Sequence, residues 1–393
     1  MDVYVVDACR TPIGRFRGAV SGVRPDDLAG LVVGEVCRRN PAVDPAEIAD
    51  VAFGAANQAG EDNRNVARMA VLLAGLPLTV PGVTLNRLCG SGLEAVNHAA
   101  ANLAMGNGDV ALGGGVESMS RAPWVMPKPD ERLPRRQELA DTALGWRIVN
   151  PKMPEEHTVS LGMTAEVLAE EYAISREAQD TFALGSHTKA LAAIDAGAFD
   201  DELVPVETAD GTVERDEGPR ADSSMERLAK LKPVFAADGS VTAGNSSPLN
   251  DGAAAVMLAS GAGVERLGLE PIVRIVGWAV AGVEPRRMGI GPAPALRLAL
   301  ERADWKLSDL SVVELNEAFA AQSLAVLAEL GLDEAVVNPL GGAIALGHPL
   351  GCSGARILTT LVHQLADQPA GTRGAATMCI GVGQGIATLV ERV

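Results

Sequence analysis

The sequence predicts an α/β protein, because short apolar strands, glycine-rich turns and helices alternate along most of its 393 residues. Forty-three glycines are too many for helices alone and indicate many tight strand-to-helix turns. Aromatic residues make up only 3%, so we expect a core of Ala, Val, Leu and Ile in which helices lie close to the sheet. A repeated motif further predicts that the chain contains two related halves.

The first half of the chain shows the alternation most clearly. Short apolar strands are predicted at residues 3–6, 51–53, 83–85 and 110–112, the last one closed by three glycines at 113–115. An amphipathic helix is predicted at 28–37, where Asp26 or Asp27 can act as the N-cap. A second helix follows the glycine-flanked Cys89 and extends to about Met105.

The character of the sequence changes after Ser120. Six prolines in residues 120–154 and mixed charge at 128–136 indicate an inserted, loop-rich segment. Helical periodicity returns at 164–172, and again from Arg176 to Gly197 behind Ser175 as N-cap. After a polar stretch at 208–227, a strand is predicted at 253–258.

The last third of the sequence again alternates strands, glycine-rich turns and helices. It contains a helix after Pro292 and Pro294, a strand at 312–315 and a helix that starts within Asn-Glu-Ala-Phe at 316–319. The letters LCGSG at 88–92 and LGCSG at 350–354 share a pattern, and each motif opens a helix that is followed by a strand and a glycine cluster. The simplest interpretation is two related α/β halves with an insertion in the first.

Charge and cysteine usage exclude several classes of protein. The net charge of −17 and the pI near 4.8 disfavour nucleic acid and anionic membranes as partners, and an anionic ligand would need a local basic patch. No apolar run approaches the ~18 residues that a membrane span requires. The five cysteines are scattered and never in C-x-x-C spacing, so we expect no disulfide framework and a cytoplasmic location.

Three residues are candidates for chemistry. Cys89 lies where a strand ends and a helix begins, and the helix N-terminus is expected to lower its thiol pKa below the free value of about 8.5. A buried, inert cysteine is the alternative, which the flanking Gly-Ser-Gly disfavours because it lets a substrate approach the backbone. His348 stands between two glycines at the matching helix start, where a base would be useful. Cys379 lies at the end of an apolar strand, and the surrounding sequence is equally compatible with an inert buried cysteine and with a reactive one.

Metal and dinucleotide sites are disfavoured. His348 and Cys352 have no further ligands in metal-binding spacing. The G-x-G-x-G at 381–385 has only eight residues after it, too few for a βαβ unit, and the glycines at 113–115 run into prolines instead of a helix.

Five motifs, taken in this order, resemble those of the thiolase family: NRLCGSG at 86–92, GGVESMS at 114–120, NEAFA at 316–320, GGAIALGHP at 341–349 and CIG at 379–381. The resemblance runs from Arg10 almost to the last residue. It implies two similar βαβαβαββ halves in a five-layered αβαβα arrangement with an inserted loop domain. The implied boundaries are 1–119 for the first half, completed by 246–268, 120–245 for a loop domain that serves oligomerisation and CoA binding, and 269–393 for the second half.

The resemblance also implies roles. Cys89 would be the nucleophile that carries the acyl group, and His348 would activate it. Cys379 would be the acid and base for the α-proton of acetyl-CoA. Asn316 would hold a water that forms one oxyanion hole with His348, and the backbone N–H groups of Cys89 and Gly381 would form the other. This chemistry requires no metal, flavin or nicotinamide, and CoA is a substrate.

CoA contacts are implied in the same way. Arg220 belongs to a basic stretch with Arg227, Lys230 and Lys232 and would contact the nucleotide. The pantetheine tunnel and acyl site would be lined by Leu231, Phe235, Ala243, Gly244, Ser247, Leu249, Met288, Ala318, Phe319 and Leu161. Leu161 stands where many thiolases have Met, and Pro248 where Gly is frequent, so both positions bear on the preferred acyl chain.

The function expected first is an acetyl-CoA C-acetyltransferase, an acyltransferase that condenses acetyl-CoA or cleaves 3-ketoacyl-CoA through an acyl-enzyme. The stretches 61–68 and 145–153 also resemble the β-ketoadipyl-CoA branch, so a 3-oxoadipyl-CoA thiolase is the alternative. A ketoacyl synthase is disfavoured because it pairs its cysteine with two histidines, and a non-catalytic acyl-CoA-binding relative because all the reactive residues are present. We expect a homotetramer, a dimer of dimers, that uses the 120–154 insertion.

Overall fold

A ten-stranded mixed sheet forms the centre of the computed structural model, which describes residues 2–393. The strands of the chain are β1 (Val3–Arg10), β2 (Gly14–Arg15), β3 (Ile48–Gly54), β4 (Gly82–Leu85), β5 (Val110–Ser118), β6 (Trp124–Val125), β7 (Ala140–Asp141), β8 (Val206–Thr208), β9 (Gly211–Val213), β10 (Asn250–Ser260), β11 (Val273–Gly282), β12 (Leu310–Leu315), β13 (Arg373–Ile380) and β14 (Gln384–Arg392). The order across the large sheet is β4-β3-β5-β10-β1-β11-β14-β13-β12, with β2 beside β10.

The helices connect these strands in a repeating order. They are α1 (Pro25–Arg39), α2 (Val66–Leu73), α3 (Ser91–Ala104), α4 (Leu161–Glu171), α5 (Arg176–Asp195), α6 (Met225–Ala229), α7 (Gly261–Leu267), α8 (Pro292–Ala303), α9 (Ala320–Leu330), α10 (Ala343–Leu346) and α11 (Leu350–Ala366). No helix within residues 2–393 is long and apolar enough to cross a bilayer.

The sheet confirms the duplication. Outward from the central antiparallel pair β1–β11, one side reads β10, β5, β3, β4 and the other β14, β13, β12. In the first half, β4 pairs in parallel with β3 at the edge of the sheet. At the equivalent edge of the second half, Val337 forms a single parallel bridge with Val313 of β12. Each half therefore follows the predicted βαβαβαββ order.

Alternation along the strands produces the predicted five layers. On β10, Ala254, Val256 and Leu258 face a core that contains α3 and α11, whereas Ala255 and Met257 face a second core against α1 and α2. On β13 and β14 the same alternation separates the α3–α11 core from a third core against α8 and α9. Helices α3 and α11 thus form the middle layer, which both halves share.

The ends of several elements differ from the predictions for local reasons. Helix α1 begins at Pro25, and its N-cap, Arg24, makes no capping hydrogen bond through its side chain, so Asp26 and Asp27 lie in the first turn instead of capping it. Proline at the first helical position fixes the backbone torsion that starts the helix. Ser175 does cap α5, because its side chain accepts the N–H of Ala178.

Two motif-bearing segments also differ from their predictions. Strand β5 continues through its glycines to Ser118 instead of stopping at them. Helix α9 begins only at Ala320, so the residues 316–319 form the connection that precedes it.

The glycines of β5 have a packing role. A Cβ on Gly115 would lie 2.0 Å from the carbonyl oxygen of Gly351, and a Cβ on Gly92 would lie 2.7 Å from the same oxygen. A Cβ on Gly351 would in turn lie 2.5 Å from the carbonyl oxygen of Val116. The first turns of α3 and α11 therefore meet β5 backbone to backbone, which brings the two helix starts together.

Glu117 reinforces this contact. Its Oε2 accepts the N–H groups of Gly351 at 2.8 Å and Ala56 at 3.0 Å, and its Oε1 accepts the N–H of Asn57 at 3.3 Å. Glu117 is only 2% exposed, and burial together with the charge of Asp62 raises its pKa to about 7. One side chain thus joins β5, the end of β3 and the start of α11.

The segment between β5 and β10 contains α4, α5, α6 and the small hairpins β6–β7 and β8–β9. A buried ion cluster ties it to β1: Arg10 pairs with Glu202 and, through two nitrogens at 2.7 and 2.9 Å, with Asp216. All five cysteines of the chain are free.

Replacing Gly115 by Ala tests the backbone contact. We expect a loss of about 3 kcal/mol in the free energy of unfolding, the upper end for overpacking, because the atom that the new methyl meets belongs to a backbone carbonyl. Gly185→Ala in α5 is the matched control, since its Cβ would meet nothing within 4 Å, and it should gain about 0.5–1 kcal/mol. Urea unfolding midpoints measure both changes, and equal stability of the two variants would contradict the packing argument.

Candidate active site

Cys89 lies in a tight turn between β4 and α3. The residue before it, Leu88, has a φ of +49°, an unfavourable left-handed conformation for a leucine. Hydrogen bonds hold this turn: Ser91 Oγ accepts the N–H of Arg87 at 2.9 Å and donates to the carbonyl of Leu88 at 2.6 Å, while Asn86 Oδ1 accepts the Leu88 N–H at 2.9 Å. The turn therefore aims Cys89 in a defined direction at the cost of local strain.

The Cys89 thiol faces a cavity of about 340 Å³, called the Cys89 cavity below. Burial raises the pKa of the thiol to about 11, although the backbone N–H of Gly381 acts in the opposite direction. The expected lowering of this pKa was therefore wrong, since loss of hydration outweighs the favourable backbone N–H groups of Gly381 and Cys89. The resting residue is therefore a protonated thiol.

The turn between β13 and β14 forms another wall of the site. Cys379 is 1% exposed, and its pKa is raised by burial and by the nearby Cys89. Gly381 lines the Cys89 cavity, and a Cβ at this position would lie 2.9 Å from the ring of Trp146. Arg87 donates to Gln384 Oε1 at 3.1 Å, which joins the Cys89 turn to this hairpin.

The side chains of His348 and Asn316 form a hydrogen bond with each other. Asn316 Nδ2 lies 3.4 Å from His348 Nε2, and His348 Nδ1 lies 2.6 Å from Ser353 Oγ, which donates to the carbonyl of Pro349 at 2.8 Å. Burial and the charge of Arg356 lower the pKa of His348 to about 3, so the ring is neutral. Because the amide donor faces Nε2, the proton of the neutral ring belongs on Nδ1, and Nε2 is free to accept one.

Three of the candidate residues occupy equivalent positions relative to their strands. Cys89, Asn316 and Cys379 each lie at or just beyond the carboxyl end of a strand, β4, β12 and β13, which is where α/β sheets place ligands. Leu350, two residues after His348, lines the Cys89 cavity. Asn316 Oδ1 is buried and has no hydrogen-bond partner among residues 2–393, so it can hold a water or a substrate atom.

A second cavity, of about 450 Å³, is called the Arg220 cavity below. Of the predicted CoA contacts it contains Arg220, Leu231, Ala243, Gly244 and Leu249, together with Pro248. Another group packs around Cys379 instead: Leu161, Phe235, Met288, Ala318 and Phe319. Ser247 lies between the groups and donates its hydroxyl to the carbonyl of Ala318 at 3.1 Å.

Only part of the predicted basic stretch is available to a ligand. Arg227 lines the Arg220 cavity but pairs with Asp222, and Lys230 pairs with Glu226 on the surface. Arg15, which sequence reasoning missed, lines the cavity beside Arg220.

Other site residues were missed as well. His187 lines the Arg220 cavity and accepts the N–H of Arg220 at 3.3 Å, and burial and the charge of Arg220 lower its pKa to about 4. Glu117, Trp146 and Arg147 line the Cys89 cavity. Glu117 belongs to the GGVESMS motif at 114–120, and Arg147 belongs to the stretch 145–153 that resembles the β-ketoadipyl-CoA branch. Neither sequence pattern indicated which residues these side chains contact.

Residues 2–393 contain no group of three or more His, Cys, Asp or Glu side chains that could hold a metal ion.

Comparisons with known proteins identify relatives along the whole chain. The model of the thiolase N-terminal domain matches residues 3–262, and that of the thiolase C-terminal domain matches 269–392. The beta-ketoadipyl-CoA thiolase of Pseudomonas aeruginosa is 55% identical over 399 residues, which cover 100% of this chain and 99% of that protein. The acetyl-CoA acetyltransferase of the same organism is 46% identical over 400 residues, with 100% and 99% covered.

Solved structures show the same relationship. Human mitochondrial 3-ketoacyl-CoA thiolase in complex with CoA superimposes with a TM-score of 0.94 at 40% identity, covering 100% of this chain and 98% of that one. The two family models together span nearly the whole chain, and the relatives are similar in sequence over their full length. Both findings agree with the duplicated fold. The chain therefore belongs to the thiolase family of acyltransferases.

Proposed function

We propose that this thiolase cleaves 3-oxoadipyl-CoA with CoA into succinyl-CoA and acetyl-CoA. The comparison within one organism carries this proposal: identity to the beta-ketoadipyl-CoA thiolase of P. aeruginosa is 55%, against 46% for its acetyl-CoA acetyltransferase. The alternative in the sequence analysis is thus favoured over the function expected first. Acetyl transfer between acetyl-CoA and acetoacetyl-CoA remains the second candidate, because it uses the same reactive groups.

In the first half-reaction, the sulfur of Cys89 attacks the 3-keto carbon. The proton of the thiol passes to Nε2 of His348, whose lone pair is free because Nδ1 carries the ring proton. The bond between C2 and C3 then breaks, which leaves a succinyl group on Cys89 and the enolate of acetyl-CoA.

Cys379 completes the first half-reaction by protonating that enolate. Its raised pKa keeps the thiol protonated until the enolate forms, as an acid needs. In the second half-reaction CoA attacks the succinyl thioester, Cys379 takes the thiol proton of CoA, and the imidazolium of His348 returns a proton to the departing Cys89.

Two sets of donors stabilise the developing negative charge. Once protonated, His348 Nε2 becomes a donor beside Asn316, and this pair can bind a thioester oxygen directly or through a water. The backbone N–H groups of Cys89 and Gly381 supply the second set next to the acyl carbon. Fixed donors in a buried site are worth several kcal/mol each in stabilising such an oxyanion.

The Arg220 cavity is the proposed seat of the CoA nucleotide. Arg15 and Arg220 supply the local positive charge that an anionic ligand needs on a protein of net charge −17. The apolar group around Phe319 and Cys379 is the proposed path of the pantetheine arm. The CoA complex of the human relative supports the assignment of CoA as ligand.

We also propose a cytoplasmic homotetramer. Support comes from large apolar side chains that are exposed on the inserted segment: Trp124, Met126, Leu133, Leu139, Leu144, Ile148, Val149 and Met153. Exposed apolar side chains concentrated in one segment are typical of a contact surface. The five free cysteines fit a reducing compartment.

Substrate comparison tests the proposed function. We expect kcat/KM for thiolysis of 3-oxoadipyl-CoA to exceed that for acetoacetyl-CoA by at least about tenfold, a difference of ~1.4 kcal/mol in transition-state binding. Initial rates at saturating CoA measure both values. Equal values, or a preference for acetoacetyl-CoA, would instead support the acetyltransferase.

The two active-site cysteines should be separable. After mixing with acetyl-CoA, intact-protein mass spectrometry should show an acetyl group on the Cys379→Ala variant and none on Cys89→Ala. The first variant keeps the nucleophile, His348 and the oxyanion donors, but it lacks the acid and base for carbon–carbon chemistry. The half-buried Cys37 provides the control, because Cys37→Ala retains both residues and should be acetylated and active. Acetylation of the Cys89→Ala variant would show that the roles are misassigned.

Ser353→Ala tests how the base is oriented. Loss of the Nδ1 contact frees the imidazole to rotate or change tautomer, so kcat should fall about 3- to 10-fold, as expected for one net hydrogen bond, with little change in KM. Ser323 is a buried serine whose hydroxyl has no partner in the described chain, so Ser323→Ala should leave kcat unchanged. A change in KM alone in the Ser353 variant would rule out the orienting role.

A further inference from the structure

The Cys89 cavity contains one feature that the thiolase chemistry described above does not use. Arg147 lines it together with Cys89, and it is the sole Lys or Arg side chain among the described residues that do so. We propose that the Arg147 guanidinium binds the terminal carboxylate of the acyl group carried on Cys89. The proposal rests on the proposed function, because 3-oxoadipyl-CoA is a thioester whose acyl chain ends in a free, negatively charged carboxylate.

The guanidinium is held in place without being neutralised. Within residues 2–393, both of its hydrogen bonds go to Asn57: Nη2 donates to the side-chain oxygen at 3.0 Å and to the backbone oxygen at 3.5 Å. Asn57 is itself fixed, since its Nδ2 donates to Thr142 Oγ1 at 3.0 Å. An uncharged amide thus orients Arg147, and its Nε and Nη1 remain available as donors.

Another arginine of the inserted segment differs from Arg147, because a carboxylate compensates its charge. Arg121, in the same inserted segment, forms a two-pronged pair with Glu61, so its charge is already compensated. No carboxylate of the described chain lies within 4 Å of the Arg147 nitrogens. A half-buried arginine that has an amide partner and no acid is suited to a carboxylate supplied by a ligand, whose two oxygens match the guanidinium fork.

The other ionisable side chain of the cavity, Glu117, favours such a cation, because its ionised form would repel a substrate carboxylate. Glu117 lines the same space, and its oxygens accept three backbone N–H groups instead of pairing with Arg147. A substrate carboxylate entering beside Glu117, in a protein of net charge −17, meets repulsion unless a cation faces it. Arg147 supplies that cation on the cavity wall.

Neighbouring contacts fix Arg147 relative to the reacting carbon. Trp146 donates its indole N–H to the carbonyl of Val159 at 3.1 Å, and its ring lies against Gly381, whose N–H faces Cys89. The backbone that carries Arg147 is therefore anchored next to the oxyanion donors. The carboxylate contact would thus select acyl groups that end in a carboxylate over acyl groups of the same length that end in a methyl group.

The test compares 3-oxoadipyl-CoA with 3-oxohexanoyl-CoA, which has the same six-carbon chain with a methyl in place of the carboxylate. In Arg147→Gln, kcat/KM for 3-oxoadipyl-CoA should fall by about 10- to 150-fold, the range for a hydrogen bond to a charged group. The value for 3-oxohexanoyl-CoA should stay within about threefold or rise. Arg147→Lys keeps the charge but loses the fork, so its loss on 3-oxoadipyl-CoA should be intermediate.

Two controls separate the possible outcomes. Arg136→Gln changes an exposed arginine of the same segment, so it should leave both substrates unaffected, and activity with acetoacetyl-CoA shows that each variant is folded. A parallel loss on both six-carbon substrates, or an unchanged ratio between them in a folded Arg147→Gln variant, would overturn the carboxylate site. A wild-type protein that cleaves acetoacetyl-CoA but not 3-oxoadipyl-CoA would instead overturn the proposed substrate.

Discussion

The backbone contact between the first turns of α3 and α11 is the constraint on which the rest of the structure depends. Glycines at 92, 115 and 351 leave no room for a Cβ, so the two helices and β5 touch through main-chain atoms. This contact forms the middle layer that both halves share, and it places the chain before α3, which carries Cys89, next to the chain before α11, which carries His348. Glu117 strengthens it by accepting three N–H groups, two from the residues after β3 and one from the first turn of α11.

Burial at this junction also determines the resting state of the site. The same loss of hydration raises the pKa of the Cys89 thiol to about 11 and lowers that of His348 to about 3, so both groups are neutral. A neutral pair does not present a thiolate to every electrophile that enters. In the proposed mechanism, charge develops only when a substrate accepts the sulfur and the oxyanion donors are engaged, which suits an enzyme that handles reactive thioesters.

In the proposed assignment, the two cavities divide the recognition of an anionic substrate. Arg15 and Arg220 line the larger one, the proposed seat of the CoA nucleotide, while Arg147 lines the cavity that contains Cys89. This distribution of cations would let a strongly acidic protein accept a ligand with charge at both ends. Local cations matter here more than the net charge of −17, because their effect is exerted at contact distance.

The sequence by itself determined the alternation of elements and the duplication, because periodicity, glycine turns and repeated motifs are local properties. It also supplied Cys89, His348, Asn316 and Cys379 as candidates, whose proposed roles come from the family resemblance. Tertiary structure alone decided what depends on burial and on contacts between distant segments. It reversed the expected direction of the Cys89 pKa, since desolvation by the surrounding layers outweighs a helix end. It also joined Asn57 to Arg147, 90 positions apart, and Glu117 to Gly351, 234 apart. Such pairs leave no periodic signal in the sequence, because the fold alone brings their segments into contact.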